Sequence, residues 1–245
     1  MNEVINQLKE RKSVRVFEDK EIDLNIKEEI IRAAFEAPTA GNMMLYSILD
    51  ITDKELKTKL SVLCDNQPFI AKAPMVLVFL ADYQRWYDAF ELNECNPRRP
   101  GEGDILLACA DAIIAAQNTV VAAGSLGIGS CYIGDVLENC EEVRELLELP
   151  EFVLPAAMLV YGYPTQQQKD RKKPVRFKKE YIVFENKYRR LNKEEHEGMH
   201  QIKNEKTSIN KGAIEGIKAL CNRKYMSDFS LEMNRSAGEY LKNFR

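Results

Sequence analysis

MVLVFLAD, residues 75–82, is a run of seven apolar residues closed by an aspartate, with no polar position inside it. A strand with one wet face alternates apolar and polar residues, whereas a strand covered on both faces does not. The run is short and bounded, and it predicts a fully buried strand. Three further segments have strand character: YSILDIT (46–52), GSCYIG (129–134) and AAMLVYGYP (156–164).

Helical patterns alternate with these strands. NEVINQLKE (2–10) places Val4, Ile5 and Leu8 at helical spacing. DLNIKEEIIRAAFEAP (23–38) repeats this with Ile26, Ile30, Ile31 and Ala34 on one face, a cap at Asp23 or Asn25, and Pro38 as the stop. DKELKTKLSVLC (53–64) returns to helix through Leu56, Leu60 and Leu63. Helices before, between and after four strands predict an α+β or α/β sandwich with a covered sheet.

The most hydrophobic stretch, Ile105 to Leu126, is interrupted by Asp111, Gln117 and Asn118. Polar groups at those depths are costly in lipid, so the stretch predicts a helix buried on nearly every side, at a domain centre or a subunit interface. The N-terminal MNEVINQLKERKS has no apolar run of the signal-peptide kind. From Gln166 the chain turns polar and basic and reads as an extended arm, followed by two short amphipathic helices, AIEGIKALCNRKY (213–225) and LEMNRSAGEYLKNF (231–244).

At 245 residues, 45% hydrophobic and 30% charged, the chain suits one substantial domain and not two full-sized ones. A formal charge of −3, from 35 basic and 38 acidic residues, argues against general attraction to nucleic acid or an anionic membrane, so any anion site is local. The six cysteines form no C-x-x-C pair and the only histidines are His196 and His200, which argues against a zinc site or a disulfide framework and for a reducing cytoplasm.

Two basic clusters stand out against that balance. RKSVRVF (11–17) groups Arg11, Lys12 and Arg15 around Ser13, and RKKPVRF (171–177) carries Lys172, Lys173 and Arg176 just after a strand. A guanidinium fork, an ammonium and a hydroxyl suit a phosphate, but each cluster is equally a solvated turn, and convergence on one anion does not follow from spacing.

Gly124, Gly127, Gly129 and Gly134 follow a helix and enter a strand, the reverse of the order a dinucleotide fingerprint requires, and there is no P-loop. They are left with close backbone approach to a flat ligand or to another strand. With no G-x-S-x-G and both histidines in the polar tail, an enzyme built on this chain would rely on a cofactor.

Taken in order, RKSVRVF (11–17), APTAGN (37–42), NQPFIAKAPMVLVFLADYQRW (66–86), GIGSCYIGDVLENCEEVRELLELPEFVLPAAMLVYGYP (127–164) and KPVRFKKEYIVFENKY (173–188) resemble the nitroreductase superfamily of FMN enzymes over residues 3–190. The likeness is greatest to oxygen-insensitive nitroreductases and NAD(P)H flavin reductases with an extended C-terminal region. It implies an α+β fold with a central, mostly antiparallel sheet flanked by helices, and a long buried helix at the interface of a homodimer that shares two FMN sites. It also implies an FMN-binding domain over 1–190 and a helical extension over 191–245 that packs on the core or on the partner.

Carried onto this chain, the resemblance assigns Arg11, Lys12, Ser13 and Arg15 to the phosphate and ribityl end of the flavin, and Thr39 to the loop from the partner subunit. Gln67 falls near the ribityl or the ring, Tyr132, Ile133, Gly134 and Asp135 along the ring face and edge, and Lys173 and Arg176 at a second phosphate contact. NADH or NADPH is the implied electron donor, and a nitroaromatic, a quinone or free flavin the acceptor. The alternatives are a narrower reduction on the same scaffold, such as ene reduction or dehalogenation, or a non-enzymatic nucleotide-binding protein.

The chain departs from the family pattern at Val175, inserted between Pro174 and Arg176, and at Asp135, where relatives often carry glycine. Met43 and Met44 fit an apolar substrate pocket or interface core, and Trp86, Cys64 and Cys131 read as packing residues. In some relatives a basic residue beyond the core recognises the NADPH phosphate. Lys206, Lys211 and Arg223 are the available cations in that part of this chain.

Overall fold

The structure is a computed structural model that describes residues 2–205 and 213–245. In chain order the elements are α1 (Glu3–Glu10), α2 (Leu24–Phe35), β1 (Tyr46–Asp50), α3 (Lys54–Leu63), α4 (Phe69–Lys72), β2 (Met75–Asp82), α5 (Gln84–Leu92) and α6 (Glu102–Ser125). They continue with β3 (Gly129–Ile133), α7 (Cys140–Leu146), β4 (Val153–Gly162), α8 (Gln166–Asp170), α9 (Lys193–Glu205), α10 (Ala213–Leu220) and α11 (Asp228–Leu241). The predicted strands and the first three predicted helices form where the patterns place them. Asp23 caps α2 by accepting the Asn25 N–H at 2.8 Å, and Asp53 caps α3 by accepting that of Leu56 at 2.7 Å.

The sheet runs β1-β2-β4-β3 with every pair antiparallel, which makes the class α+β. Its second strand is the apolar run 75–82, and all eight of its residues are buried. Successive side chains point to opposite faces. On one face Met75, Leu77 and Phe79 join Ile30 and Ala34 of α2 and Ala112, Ala116 and Val120 of α6. On the other Val76, Val78 and Leu80 join Leu60 of α3, Ile70 of α4 and Val143 of α7. A third cluster packs Ile105, Phe152 and Leu154 against Tyr240 and Phe244 from the chain's far end.

The described chain divides into two compact units, Met1–Arg171 with Glu232–Arg245, and Lys172–Leu231. In the second, Glu195 and Asn192 cap α9 reciprocally, at 2.8 and 2.9 Å, and Arg189 forks onto Glu195 at 2.7 and 2.9 Å. The polar segment after residue 165 is therefore not one extended arm. It contains helix α8 and the start of α9. Thr165 opens α8 by accepting backbone bonds from Gln168 and Lys169.

Helix α6 also differs from the expectation of burial on nearly every side. It is long and apolar enough to cross a membrane by length and composition, yet Ile105, Ala108, Ala112, Ala115, Thr119 and Ala123 form a face packed into the core. The opposite face leaves Leu106 at 69%, Leu107 at 52% and Ile113 at 46% exposure. Composition records that a helix is apolar but not which chain covers it.

The one carboxylate in the packed face, Asp111, is 4% exposed. It accepts bonds from the Thr39 hydroxyl and from the N–H groups of Ala40 (3.1 Å) and Leu45 (3.2 Å). Those bonds hold the turn 39–45, whose residues Gly41, Asn42 and Met44 all have positive φ, against the helix. Replacing Asp111 with alanine leaves three donors unpaired, and should cost about 2–4 kcal/mol. Denaturant unfolding checks this, and a loss within experimental error would show that the turn is held by packing alone.

Candidate active site

The basic segment 11–17 does not float in solvent. It lies along the free edge of β3 and the end of β4. Val14 donates its N–H to Ser130 O at 3.0 Å, Glu18 to Tyr163 O at 2.8 Å, and Phe17 forms a bridge with Pro164. Two glycines permit the approach. A Cβ on Gly129 would stand 2.6 Å from Val14 Cγ2, and one on Gly162 2.6 Å from Phe17 Cδ1, distances no real side chain tolerates. Of the glycines read as available for close approach to a strand or a ligand, Gly129 serves the docking of this segment, and Gly162, outside that reading, serves it as well.

Helix α8 clasps the segment from the other side. The Lys12 ammonium donates to Lys169 O at 2.6 Å and to Arg171 O, the Arg171 guanidinium donates to Ser13 O, and the Arg15 N–H reaches Gln168 Oε1 at 3.3 Å. Arg15 is exposed, with its guanidinium 5.9 Å from the centre of the Phe69 ring. A cavity of about 340 Å³ opens beside the segment. Its wall includes Arg11, Lys12, Gln117, Gly129, Ser130 and Gln168, and Arg11 and Lys12 are the predicted contacts that line it.

Two buried polar atoms here have no hydrogen-bond partner: Arg11 Nε, and Thr165 Oγ1 at the strand end that pairs with the segment. Buried polar groups are ordinarily satisfied, and a buried guanidinium nitrogen without a partner is open to an external acceptor. The donor set of Arg11, Lys12, Ser13 and Arg15 fits a phosphate group.

At the other end of β3 the chain makes the turn that carries the remaining predicted contacts. Tyr132 is half-buried and donates to Gln117 Oε1 at 3.4 Å. Burial pushes its hydroxyl up to about 12, against the opposing pull of the Arg11 charge, so it stays a neutral donor. Ile133 is buried, and Gly134 is exposed with nothing within 4 Å of where its Cβ would sit. Asp135 opens the single 3-10 turn Asp135–Leu137. An open glycine beside a buried apolar strand end suits the edge of a flat ring.

Gln67 is fixed by its side chain, which donates to Cys64 O at 2.8 Å, and by its N–H on Ser61 O at 2.8 Å. Cys64 is fully buried, and burial, with Asp135 and Glu138 adding to it, pushes its thiol up and leaves it inert. Cys131 is likewise buried. Thr39 is held on Asp111 of α6, and its side-chain hydrogen bonds run to Asp111 and to the Met44 N–H and not to the segment 11–15. Met43 and Trp86 pack against the third cluster and Met44 against the first, all three half-buried, and Trp86 donates to Met43 O at 2.8 Å.

Lys173 and Arg176 fall in the second unit, where Lys173 is half-buried and Arg176 exposed. Their part in a phosphate site is carried by the resemblance alone. Arg223 is exposed in the turn Cys221–Tyr225, and Lys206 and Lys211 lie outside the described residues. The reading of the sequence missed Gln168, Arg171 and Asp111 as positioning residues. Asp111 alone left a signal, as a carboxylate in an otherwise apolar helix.

The family model of the Nitroreductase family matches residues 8–163. An FMN reductase [NAD(P)H] of Bacillus subtilis is 37% identical over 197 residues, 80% of this chain and 77% of that protein. An oxygen-insensitive NADPH nitroreductase of Salmonella typhimurium is 35% identical over 78% of this chain and 77% of its own length. Among solved structures, the NADPH:FMN oxidoreductase of Vibrio harveyi complexed with NAD+ superposes with a TM-score of 0.77 at 28% identity, covering 96% of this chain and 98% of that one. The match takes in the basic segment, the doubly covered strand and the turn after β3, and by it this chain belongs to the Nitroreductase family.

Proposed function

We propose that this protein is an FMN-dependent oxidoreductase that draws hydride from NADH or NADPH and delivers it to a nitroaromatic, a quinone or free flavin. The observation that carries the reading is the cationic segment Arg11–Arg15, docked on the edge of β3 with Arg11 Nε buried and unpaired. An anionic group placed there satisfies that nitrogen, and the strand then leads a neutral ring toward the open Gly134.

In this reading Arg11, Lys12, Ser13 and Arg15 hold the FMN phosphate. Gln67 donates or accepts beside the ribityl chain, while Tyr132, Ile133, Gly134 and Asp135 line the ring. When bound, the flavin supplies a reversible two-electron carrier between the nicotinamide and the acceptor. The chain orients both partners and limits water at the ring. Tyr132, kept neutral by burial, holds a proton at its oxygen throughout the working range of pH.

We further read the protein as a homodimer with shared sites, because the exposed face of α6 is apolar across Leu106, Leu107, Ile113 and Ile114. The turn 39–45 then brings Thr39 to the partner's ring. With α6 serving as a core helix, the chain is read as soluble and cytoplasmic.

The direct test is an anaerobic absorbance spectrum of the protein loaded with FMN, before and after NADH and, separately, NADPH. Bleaching by either donor is the expected outcome; a bound flavin that neither donor bleaches would defeat the oxidoreductase reading. Lys12→Ala and Arg15→Ala should each weaken FMN binding about tenfold or more, given the strength of charge-assisted bonds to phosphate, while leaving riboflavin affinity nearly unchanged. Fluorescence titration with the two flavins separates these effects. Leu107→Glu should turn the dimer to monomer in light scattering at micromolar protein, since a charge cannot be desolvated at the centre of an apolar interface without large cost.

A further inference from the structure

The turn that follows β3 holds a carboxyl group that the reaction above does not use. Glu138 is 6% exposed, and its Oε1 is buried without a hydrogen-bond partner. The charged groups that act on it are all carboxylates, Asp135 of the same turn, Asp65 after α3 and Glu232 of α11, and Glu138 acts in turn on the neutral Cys64 thiol. Arg235 of α11 is engaged elsewhere, bonding Glu232 at 2.8 Å and Glu141 of α7 at 2.8 Å. Burial first, then the three carboxylates, push the Glu138 carboxyl up to about 7.

This group sits where three pieces of the fold are tied together. The Glu138 N–H closes the turn on Asp135 O at 3.0 Å. Next to it, Asn139 donates from its side chain to Leu63 O at 2.9 Å and from its backbone to Glu232 Oε1 at 3.2 Å, and Ser236 Oγ donates to Leu137 O. The turn bearing Gly134 and Asp135 is thereby fastened both to the segment that fixes Gln67 and to α11.

We propose that Glu138 is a protonation-sensitive positioning residue: neutral, it is accommodated under the Gly134–Asn139 turn; ionised, it is repelled by Asp65, Asp135 and Glu232 and loosens that turn from α3 and α11. The consequence for the cofactor rests on the flavin reading; the consequence for the protein without cofactor does not.

The sign follows from linkage. A carboxyl held neutral in the fold binds its proton more tightly there than in the unfolded chain. Its stabilising contribution is present at acid pH and is lost as pH rises from its ordinary value of 4.5 through about 7.

The test is thermal unfolding of the flavin-free protein from about pH 5.5 to 8.5, for wild type, Glu138→Gln and Asp65→Asn, with FMN titrations across the same range. Asp65 has positive φ, which asparagine tolerates, so Asp65→Asn is a mild variant. Glu138→Gln should gain melting temperature relative to wild type progressively toward alkaline pH. The ratio of wild-type to Glu138→Gln Kd for FMN should rise at least about threefold over the same interval, a ratio in which the titration of the FMN phosphate cancels. Asp65→Asn should move the wild-type transition to lower pH, as removal of a facing negative charge requires.

Parallel melting profiles for wild type and Glu138→Gln would overturn the proposal. If Glu138→Gln does not fold, an unshifted Asp65→Asn profile overturns it instead. If none of the proteins binds FMN at any pH, the flavin reading fails, and the melting profiles alone still decide the role of Glu138.

Discussion

The fold depends on one requirement: β2 has to be kept dry on both faces. A strand whose first seven residues are all apolar cannot sit at an edge or present one face to water. Its backbone is paired on both sides by β1 and β4, and its side chains need a helical layer above and another below. α2 and α6 supply one layer and α3, α4 and α7 the other. Because β2 and β4 fill the middle, β3 becomes an edge strand with an unpaired side. The basic segment covers the beginning of that side, so the site for an anion arises from the same pairing that protects the sheet from association at its edge.

Asp111 couples this core to the second half of the proposed site. A carboxylate in the packed face of α6 is unfavourable unless its oxygens are filled, and the turn 39–45 fills them with one hydroxyl and two N–H groups. The turn carries three left-handed residues, and the carboxylate has no other donors among its bonds. Each makes the other tolerable. The consequence for function is that Thr39 is held by the helix that exposes Leu106, Leu107 and Ile113, so the loop and the apolar face would enter a dimer together.

Much of this architecture is legible in the sequence because it is written in short-range pattern. The continuous apolar run at 75–82, the 3.6-residue spacing of Ile26, Ile30 and Ala34, and the Asp caps are local, and the structure repeats them. The basic segment is legible as an anion candidate, but not as a docked strand. Its docking depends on Gly129 and Gly162, which lie more than a hundred residues away and whose missing side chains matter only once Val14 and Phe17 are laid on them. Long-range satisfaction is illegible for the same reason. Asp111 meets donors 66 to 72 positions distant, and the clasp on the basic segment comes from Gln168 and Arg171, inside a polar run with no periodicity to mark a helix. The exposure of one face of α6 is illegible too, since an apolar composition does not say which side of the helix meets the core.

The charge distribution along β3 adds a direction to the site. At the start of the strand Val14 bonds Ser130, and the neighbouring groups are Arg11, Lys12 and Arg15. At its end the groups are Asp135 and Glu138, with Asp65 and Glu232 behind them. A five-residue strand spans about 15 Å, on the scale of a ligand with a phosphate at one end and a flat ring at the other. On the flavin reading such a ligand is favoured in one sense along β3, because reversing it would bring the phosphate toward the acidic turn and leave the cations facing an uncharged ring. On that reading the charge distribution favours one orientation of the ligand. With the ring at that end, on the same reading, the ionised Asp135 opposes added electron density on it, which favours passing electrons on over retaining them.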